Sequence, residues 1–324
     1  MSRAMEYVTR ALRSVRRVVR PLPRIRPEVL QPEERSLYLA AGETTDLGTL
    51  DYPGGSHSGS AAHLVSAICR AEQLDAPAFH YWAREIHEEW RFHRKLWEFC
   101  YILQALHERG CLATGKRGLG FAVGQEPLPS YFAARGCTIL ATDLGSTDAR
   151  AANWAGSGQW ASSVEVLNRR GLCDPDLFRE RVSFRPVDMN QIPSDLSDFD
   201  FTWSSCSFEH CGSLELGSEF LLRQMDCLRR GGLAVHTTEF NLTSNTKTVR
   251  RGGTVVFRRA DIEDLVRRLR AAGHHVEPLD LTIGTHPLDW HVDQRPYSQD
   301  RHLRKKERRY VSTSIALIIR KGSS

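Results

Sequence analysis

The stretch at residues 117–128, RGLGFAVGQEPL, decides the fold because it joins a short apolar strand to a helix through a glycine-containing turn. The strand is predicted over residues 119–123 and the helix over residues 128–135. A dinucleotide-binding loop at such a turn holds a pyrophosphate at the helix N-terminus with three glycines. Glu126 would repel phosphate here, and Pro127 removes a backbone N–H donor from the first helical turn. The turn therefore predicts a ligand that is cationic and free of phosphate.

Beyond this turn, short apolar segments alternate with helical ones, which indicates a βαβ series. Strands are predicted at residues 119–123, 138–144, 182–187, 199–204, 233–238, 276–281 and 312–319. A long polar loop without a clear helix separates the last two, which is typical of an antiparallel closing pair. We therefore predict an α/β fold, a Rossmann-like, seven-strand, mostly parallel sheet with an antiparallel last strand, plus an N-terminal helical cap. Ligands in such sheets bind at the carboxyl ends of the strands.

The chain divides into three predicted regions: a basic amphipathic helix and proline-rich linker at residues 1–35, a helical cap or lid at residues 36–114, and the α/β domain at residues 115–324. The first helix can lie on an anionic membrane surface or serve as a packing arm. The longest helix of the cap is predicted from residue 79 to residue 109. Its aromatic residues Trp90, Trp97 and Tyr101 indicate either a lid over the ligand cleft or core packing.

Composition sets limits on the class of protein. The 324 residues are 41% hydrophobic and 26% charged, which is enough to bury a sizeable core. The net charge of +5 is modest, so no specific nucleic-acid partner is expected. The eight cysteines form no C-x-x-C pair, which favours buried thiols in a reducing cytoplasm over a disulfide or zinc framework. No apolar run is long enough to span a membrane, and we expect a soluble, cytoplasmic protein.

The domain from about residue 115 to residue 321 resembles the class I S-adenosylmethionine-dependent methyltransferases. When Glu126 is aligned with the third glycine of that family's G-x-G-x-G loop, Ala122 and Gly124 fall on the first two. Gly120 stands where the family often has an acidic residue facing the methionine ammonium, and the resemblance implies that Glu126 takes over part of that role. The form V-G-x-E-P-L-P-S is similar to a subgroup often associated with glycan gene clusters. The implied cofactor, S-adenosyl-L-methionine, is a sulfonium cation without phosphate.

Two carboxylates follow in register with this loop. Asp143 ends the second predicted strand, next to Leu144, and can accept both ribose hydroxyls of the cofactor or cap the following helix. Asp188 ends the third strand; in the resembled family this position pairs with the adenine amino group while its neighbour, here Met189, packs nearby. The resemblance implies that these four residues bind the cofactor.

The ends of the next two strands carry the predicted catalytic residues. Ser204 and Ser205 reach the sheet edge beside the cofactor, and His210 follows on the loop. A neutral histidine, with an unperturbed pKa of about 6.5, suits a general base for a hydroxyl acceptor, although a structural loop histidine remains the alternative. Glu239, between Thr237 and Asn241 at the end of the fifth strand, is predicted as a second catalytic carboxylate, with turn capping as the alternative for these polar residues.

Two loops carry weaker patterns. Trp154, Gln159 and Trp160 in the crossover after the second strand can stack on sugars or bases, or cover the sheet. The loop before the last strand spaces His286, Asp289, His291 and Asp293 like metal ligands, but spacing on a loop is poor evidence and no metal is predicted. The basic residues at 301–309 form a solvated face or contact an acidic acceptor.

Together these patterns predict an S-adenosylmethionine-dependent methyltransferase acting on an oxygen, less readily a nitrogen, of a small-molecule or glycan-type acceptor. A nicotinamide-dependent oxidoreductase is the alternative enzyme, disfavoured by Glu126 and Pro127. A catalytically inactive S-adenosylmethionine-binding module is the alternative outside enzymes, since the glycine loop is degenerate.

Overall fold

A computed structural model describes residues 63–151 and 159–323 of the chain. The predicted basic helix and linker at residues 1–35, the first part of the predicted cap and Trp154 lie outside the described residues. No helix within the described ranges is long and apolar enough to cross a membrane.

The described residues form seven helices and thirteen strands. The helices are α1 (Ala71–Leu74), α2 (Pro77–Glu85), α3 (Arg94–Glu108), α4 (Leu128–Ala134), α5 (Pro175–Arg181), α6 (Leu214–Arg223) and α7 (Arg259–Ala271). The strands are β1 (Ser66–Ile68), β2 (Phe92–His93), β3 (Arg117–Gly120), β4 (Thr138–Asp143), β5 (Val182–Pro186), β6 (Phe199–Ser205), β7 (Leu228–Asn241), β8 (His275–Val276), β9 (Leu279–Asp280), β10 (Val292–Asp293), β11 (Arg301–His302), β12 (Arg304–Glu307) and β13 (Tyr310–Arg320).

The main sheet confirms the predicted fold class. Its central order is β5-β4-β3-β6-β7-β13, and every pair among the first five of these strands is parallel. β13 runs antiparallel to β7, from Ser312 opposite Asn241 to Arg320 opposite Leu233, and β8 pairs antiparallel with β13. The sheet is larger than the predicted seven strands, because β1, β9, β10 and β12 extend it to 11.

Helices cover both faces of the sheet, so the central strands are apolar on both sides. On β13, Ala316 and Ile318 join the core that contains α3 and α4, whereas Leu317 and Ile319 join the core that contains α6 and α7. This alternation follows from the two-residue period of a strand. The sheet is thereby fixed between two layers, with the carboxyl ends of the parallel strands at one edge.

The prediction of a single helix over residues 79–109 is wrong. The chain forms α2 and α3 with a break between them, where His87 adopts a left-handed φ of 52° and β2 pairs with β11. His93 then caps α3, since its Nδ1 accepts a hydrogen bond from the Lys95 backbone N–H at 3.1 Å. Trp97 and Tyr101 on α3 are fully buried, which favours the core-packing alternative for these two aromatics. Closure of this region as a lid stays a prediction.

Candidate active site

A cleft of about 1120 Å³ opens where β3, β4, β5 and β6 end. Nine of the twelve residues predicted to bind the cofactor or to act in catalysis line it: Ala122, Gly124, Glu126, Asp143, Leu144, Asp188, Met189, Ser205 and His210. Gly120, Ser204 and Glu239 do not line it. The cleft therefore brings together most of the predicted cofactor residues and one of the two predicted catalytic residues.

The turn after β3 is built from two left-handed residues, Ala122 with φ 48° and Gly124 with φ 53°. Glycine is required at 124 because a Cβ there would lie 2.7 Å from the carbonyl oxygen of Gln159. The backbone N–H of Val123 donates to the Thr142 carbonyl, at 3.1 Å, which ties the turn to β4. The turn is thus held against the neighbouring strand and the crossover loop.

Glu126 presents a buried carboxyl to the cleft. The Trp203 indole N–H donates to its Oε1 at 2.6 Å. Burial raises the pKa of this carboxyl to about 8, although the hydrogen bond from Trp203 and the charge of Lys95 act to lower it. Glycine at position 120 makes this hydrogen bond possible, because a Cβ there would overlap the Trp203 ring. The glycine where the family often has an acid makes room for the indole that orients Glu126.

Asp143 is buried, and three backbone N–H groups already donate to its carboxylate. Oδ2 accepts from Gly124 at 3.0 Å and Ala161 at 3.1 Å, and Oδ1 accepts from Leu144 at 2.8 Å. Burial raises its pKa to about 6, against the effect of these hydrogen bonds. The prediction that both oxygens accept ribose hydroxyls therefore needs correction: with two amides on Oδ2, the remaining acceptor capacity lies on Oδ1. None of its donors belongs to a helix, so the capping alternative is not supported.

Asp188 lies at the mouth of the cleft and pairs with the crossover after β4. Its Oδ2 accepts from Arg150 Nη2 at 2.7 Å, and its Oδ1 accepts from the Asn190 backbone N–H at 2.9 Å. Beside it, Met189 is largely buried and lines the cleft. The Arg150 guanidinium would therefore compete with adenine for the Asp188 carboxylate.

The crossover loop otherwise covers the sheet edge. Trp160 donates its indole N–H to the Leu144 carbonyl at 2.9 Å, and it is not among the cleft-lining residues, whereas Gln159 is. The loop therefore packs the tryptophan over the end of β4, which favours the sheet-covering alternative for Trp160.

Two predicted residues at strand ends point away from the cleft. Ser204 is buried, and its hydroxyl lies 2.8 Å from His236 Nδ1. Glu239 is buried between two cations, with Oε1 3.1 Å from Arg94 Nη2 and 2.5 Å from Lys305 Nζ. Burial alone would raise the pKa of Glu239, but the charges of Arg94 and Lys305 lower it below its ordinary value. Because it is ionised, paired and outside the cleft, Glu239 is not supported as a general base.

The neighbours of Glu239 on β7 are also occupied. Asn241 Oδ1 accepts from the backbone N–H groups of Thr243 and Ser244 at 2.9 and 3.1 Å, which is the turn-capping alternative. Thr237 Oγ1 accepts from the Cys206 backbone N–H at 2.8 Å. These side chains stabilise the loops around the cleft.

His210 has a defined tautomer. Its Nδ1 lies 2.7 Å from the Gly253 carbonyl oxygen, which can only accept, so Nδ1 carries the proton and Nε2 carries the lone pair in the neutral ring. Nε2 lies 4.0 Å from Oε1 of Glu209, a fully buried carboxyl whose pKa is raised by burial. Thr238 donates to the other oxygen of Glu209 at 2.9 Å. The ring therefore presents a basic nitrogen, as a general base requires.

The N-terminal turn of α3 contributes a part of the cleft that the sequence interpretation missed. His93, Lys95 and Phe99 line it, and Arg94 and Glu98 lie beneath. Lys95 Nζ is 2.6 Å from Glu98 Oε2 and 3.2 Å from the Ser205 carbonyl oxygen. Ser205 in turn donates its hydroxyl to Glu98 Oε2 at 3.0 Å. The signal in the sequence was the charged run within an otherwise apolar helix.

The ionisation states of Glu98 and His93 follow from their surroundings. Burial acts to raise the pKa of Glu98, but Lys95 and Arg94 lower it to about 2, so the carboxylate is ionised. Burial lowers the pKa of His93 to about 3. Since its Nδ1 accepts from a backbone N–H, the neutral His93 ring carries its proton on Nε2 and is a hydrogen-bond donor.

The residues with metal-like spacing are used otherwise. Asp289 pairs with Arg304 at 3.1 Å, and Asp293 lies 2.7 Å from His302 Nδ1. In residues 63–151 and 159–323, no group of three or more His, Cys, Asp or Glu side chains is arranged to hold a metal ion. All eight cysteines lie in the described residues; seven of their side chains are buried, and Cys206 is half-buried.

Comparison with known proteins gives only distant likenesses. No protein-family model matches the chain, and no curated protein matches it. Among solved structures, the chain is similar to a 1,6-didemethyltoxoflavin-N1-methyltransferase of Burkholderia thailandensis with bound 1,6-didemethyltoxoflavin and S-adenosylhomocysteine, at 16% identity over 67% of this chain and 75% of that chain, with a TM-score of 0.39.

Two further solved structures have similar scores. The magnesium protoporphyrin IX methyltransferase of Synechocystis PCC 6803 with bound S-adenosylhomocysteine matches at 12% identity over 78% of this chain and 97% of that chain, with a TM-score of 0.41. The [4+2]-cyclase SpnF matches at 17% identity over 69% of this chain and 83% of that chain, with a TM-score of 0.40. At these values the likenesses carry no argument about the cofactor or the reaction of this chain.

Proposed function

We propose that this chain is an S-adenosylmethionine-dependent methyltransferase that acts on an oxygen, less readily a nitrogen, of a small-molecule or glycan-type acceptor. The observation that carries the proposal is the buried Glu126 carboxyl, which faces the cleft at the turn where a dinucleotide-binding fold holds phosphate. In its ionised form this carboxyl would be compensated by an ammonium group and would repel a phosphate. The cofactor is therefore cationic at this end.

The other groups along the cleft match the remaining parts of such a cofactor. Lys95, whose charge acts on Glu126, can receive the methionine carboxylate while it stays paired with Glu98, and Glu126 can receive the ammonium. Oδ1 of Asp143 can accept from a ribose hydroxyl, and Asp188 can accept from the adenine amino group. The volume of about 1120 Å³ exceeds the roughly 300–1,000 Å³ typical of a single small-molecule site, which leaves room for an acceptor.

When bound, the cofactor supplies a methyl group activated by the sulfonium charge. The protein aligns the acceptor oxygen with that methyl group and excludes water, because transfer is an in-line displacement at carbon. His210 Nε2 takes the proton from a hydroxyl acceptor, and the hydrogen bond from Nδ1 to Gly253 stabilises the imidazolium that forms. His93 Nε2–H supplies a hydrogen bond to a polar group of the acceptor.

One observation favours a non-catalytic cofactor-binding module as the second candidate. The glycine loop is degenerate, because Ala122 and Glu126 stand at two of the three glycine positions of the resembled pattern. A module of this kind would bind the cofactor without turning it over.

Turnover separates the two candidates. The full chain is incubated with methyl-labelled S-adenosylmethionine and pools of small-molecule and glycan acceptors, and products are detected by mass spectrometry. A labelled product whose formation is lost in Glu126→Gln supports the methyltransferase. Cofactor binding without labelled product in any pool would favour the module, and absence of cofactor binding would contradict both.

A further inference from the structure

The hairpin between β12 and β13 contains an arginine whose backbone conformation is unfavourable for that residue type. Glu307 pairs with Tyr310, so Arg308 and Arg309 form a two-residue turn. Arg308 has a φ of 56°, in the left-handed region, where glycine, asparagine and aspartate are preferred. Arg308 therefore occupies its position at a cost in stability, and strained residues of this kind concentrate at binding sites.

The position of this turn explains what the strained residue can do. Arg308 lines the main cleft and also a smaller adjoining pocket of about 600 Å³, which it shares with Gln294, Arg295, Lys306 and Glu307. Three of these five residues are cations and one is an acid. The turn thus forms the junction of the two pockets, on a surface of positive charge.

The cations of the cleft differ in how they are compensated. Arg170 Nη2 lies 2.6 Å from Glu88, Lys95 Nζ lies 2.6 Å from Glu98, and Arg150 is paired with Asp188. Those charges are neutralised within the protein.

Arg308 has no hydrogen bond or ion pair to any residue in the described part of the chain. The neighbouring acid Glu307 instead faces Lys305 at 3.7 Å and Arg295 at 3.4 Å. An uncompensated guanidinium at the opening of a cleft attracts anions and binds phosphate or carboxylate groups in a bidentate manner.

We propose that Arg308 forms an anion subsite at the cleft opening, which receives a phosphate or carboxylate group of the methyl acceptor. The inference rests on the proposed function only in taking the occupant of the cleft to be the acceptor. It restricts that acceptor to molecules that carry negative charge at one end and the methylated oxygen at the other. A sugar phosphate and a uronic acid are two sources of the same charge.

Saturation-transfer difference NMR on the full chain tests the subsite with three probes: glucose 1-phosphate, glucuronate and neutral glucose. The subsite predicts that one or both charged sugars bind and that glucose binds at least fivefold more weakly. Arg308→Ala should weaken the charged probes at least fivefold. Arg309→Ala is the matched control, because Arg309 packs over the Tyr310 ring and lines neither pocket, and it should change binding less than twofold. Equal binding to wild type and Arg308→Ala, equal binding of glucose, or no binding of either charged probe would overturn the proposal.

Thermal unfolding of Arg308→Gly separates a binding role from a structural one. Glycine relieves the backbone strain, so the unfolding midpoint of Arg308→Gly should lie above that of the wild type. Binding of the charged probes should be lost in the same variant. A lower midpoint would show that the arginine stabilises the hairpin and would contradict the inference. S-adenosylhomocysteine titrations distinguish failure of the subsite from failure of the proposed function. Arg308→Ala should leave cofactor affinity unchanged. Anion binding that depends on Arg308 can persist even if the chain binds no cofactor.

Discussion

If Glu126 receives the cofactor ammonium, binding must release a proton. The carboxyl has a pKa of about 8 because it is buried, so it is mostly neutral at pH 7, and only its ionised form attracts a cation. The affinity for the cofactor should therefore rise as the pH rises towards 8. A carboxyl with this pKa is about 1% ionised at pH 6 and half ionised at pH 8, so affinity should rise roughly 50-fold between these values by proton linkage.

Isothermal titration of S-adenosylhomocysteine, which keeps the ammonium, measures this dependence at pH 6, 7 and 8. Repeating each titration in buffers of different ionisation enthalpy counts the protons released, which should approach one at pH 6 to 7. Glu126→Gln should remove the dependence between pH 7 and 8 and weaken binding at pH 8 by more than about tenfold, the loss of one charge-assisted hydrogen bond. Asp143, with a pKa of about 6, would affect mainly lower pH values.

Four neighbouring charged or polar groups also act on the pKa of Glu126. Trp203 and Lys95 lower it, and Glu98 and Asp143 raise it. Trp203→Phe deletes the indole donor, so it should move the rise in affinity to higher pH. An affinity that is constant from pH 6 to 8 in the wild type, or a slope between pH 7 and 8 that survives in Glu126→Gln, would refute the role given to this carboxyl.

Four further predictions concern the rest of the cleft. Asp143→Ala should weaken S-adenosylhomocysteine binding by more than about tenfold in titrations, because the carboxylate holds the turn and is proposed to accept from a ribose hydroxyl. Arg150→Ala should strengthen the same binding several-fold, since it frees the Asp188 carboxylate for adenine. His210→Ala should lower kcat by about 10²–10⁴ in single-turnover assays while leaving cofactor affinity nearly unchanged. Hydrogen exchange over residues 79–109 should slow when S-adenosylhomocysteine binds, if this region closes over the cleft.

Each of these predictions has its control. Asp143→Asn keeps an acceptor oxygen for the backbone amides and should fold like the wild type, so unchanged affinity in it and in the alanine variant would contradict ribose binding. Arg185→Ala removes an exposed arginine paired with Asp195, outside the cleft, and should not alter affinity. A His210→Ala protein that loses thermal stability but keeps its turnover would identify a packing residue. Identical exchange with and without ligand would contradict a lid.

The sheet could be predicted because its strands are local apolar segments. Six of the seven predicted strands appear as single strands, although several bounds moved, as for β7, which begins at Leu228 and not at residue 233; the strand predicted at 276–281 is divided into β8 and β9. The prediction of a single helix at 79–109 was wrong because the break in it cannot be read from apolar periodicity. Apolar periodicity continues through residues 86–93, but His87 ends α2 with a left-handed φ, and the pairing of β2 with β11 depends on residues some 200 positions later.

The site residues divide in the same way. Asp143 and Asp188 were found because a strand end fixes where a side chain lies, whatever surrounds it. Glu239 also stands at a strand end, but its pairing with Arg94, 145 residues away, could not be inferred from the local pattern. The bond between Trp203 and Glu126 spans 77 residues, and only the packed structure shows why a glycine stands at position 120.

The central claim is that the cleft binds a cationic, phosphate-free cofactor. Calorimetric titration of the purified full chain with S-adenosylhomocysteine and, separately, with NAD tests it most directly. The account predicts one site for S-adenosylhomocysteine and no heat of binding for NAD, because the buried Glu126 carboxyl stands where a pyrophosphate would have to lie. Binding of NAD, with no binding of S-adenosylhomocysteine, would contradict it.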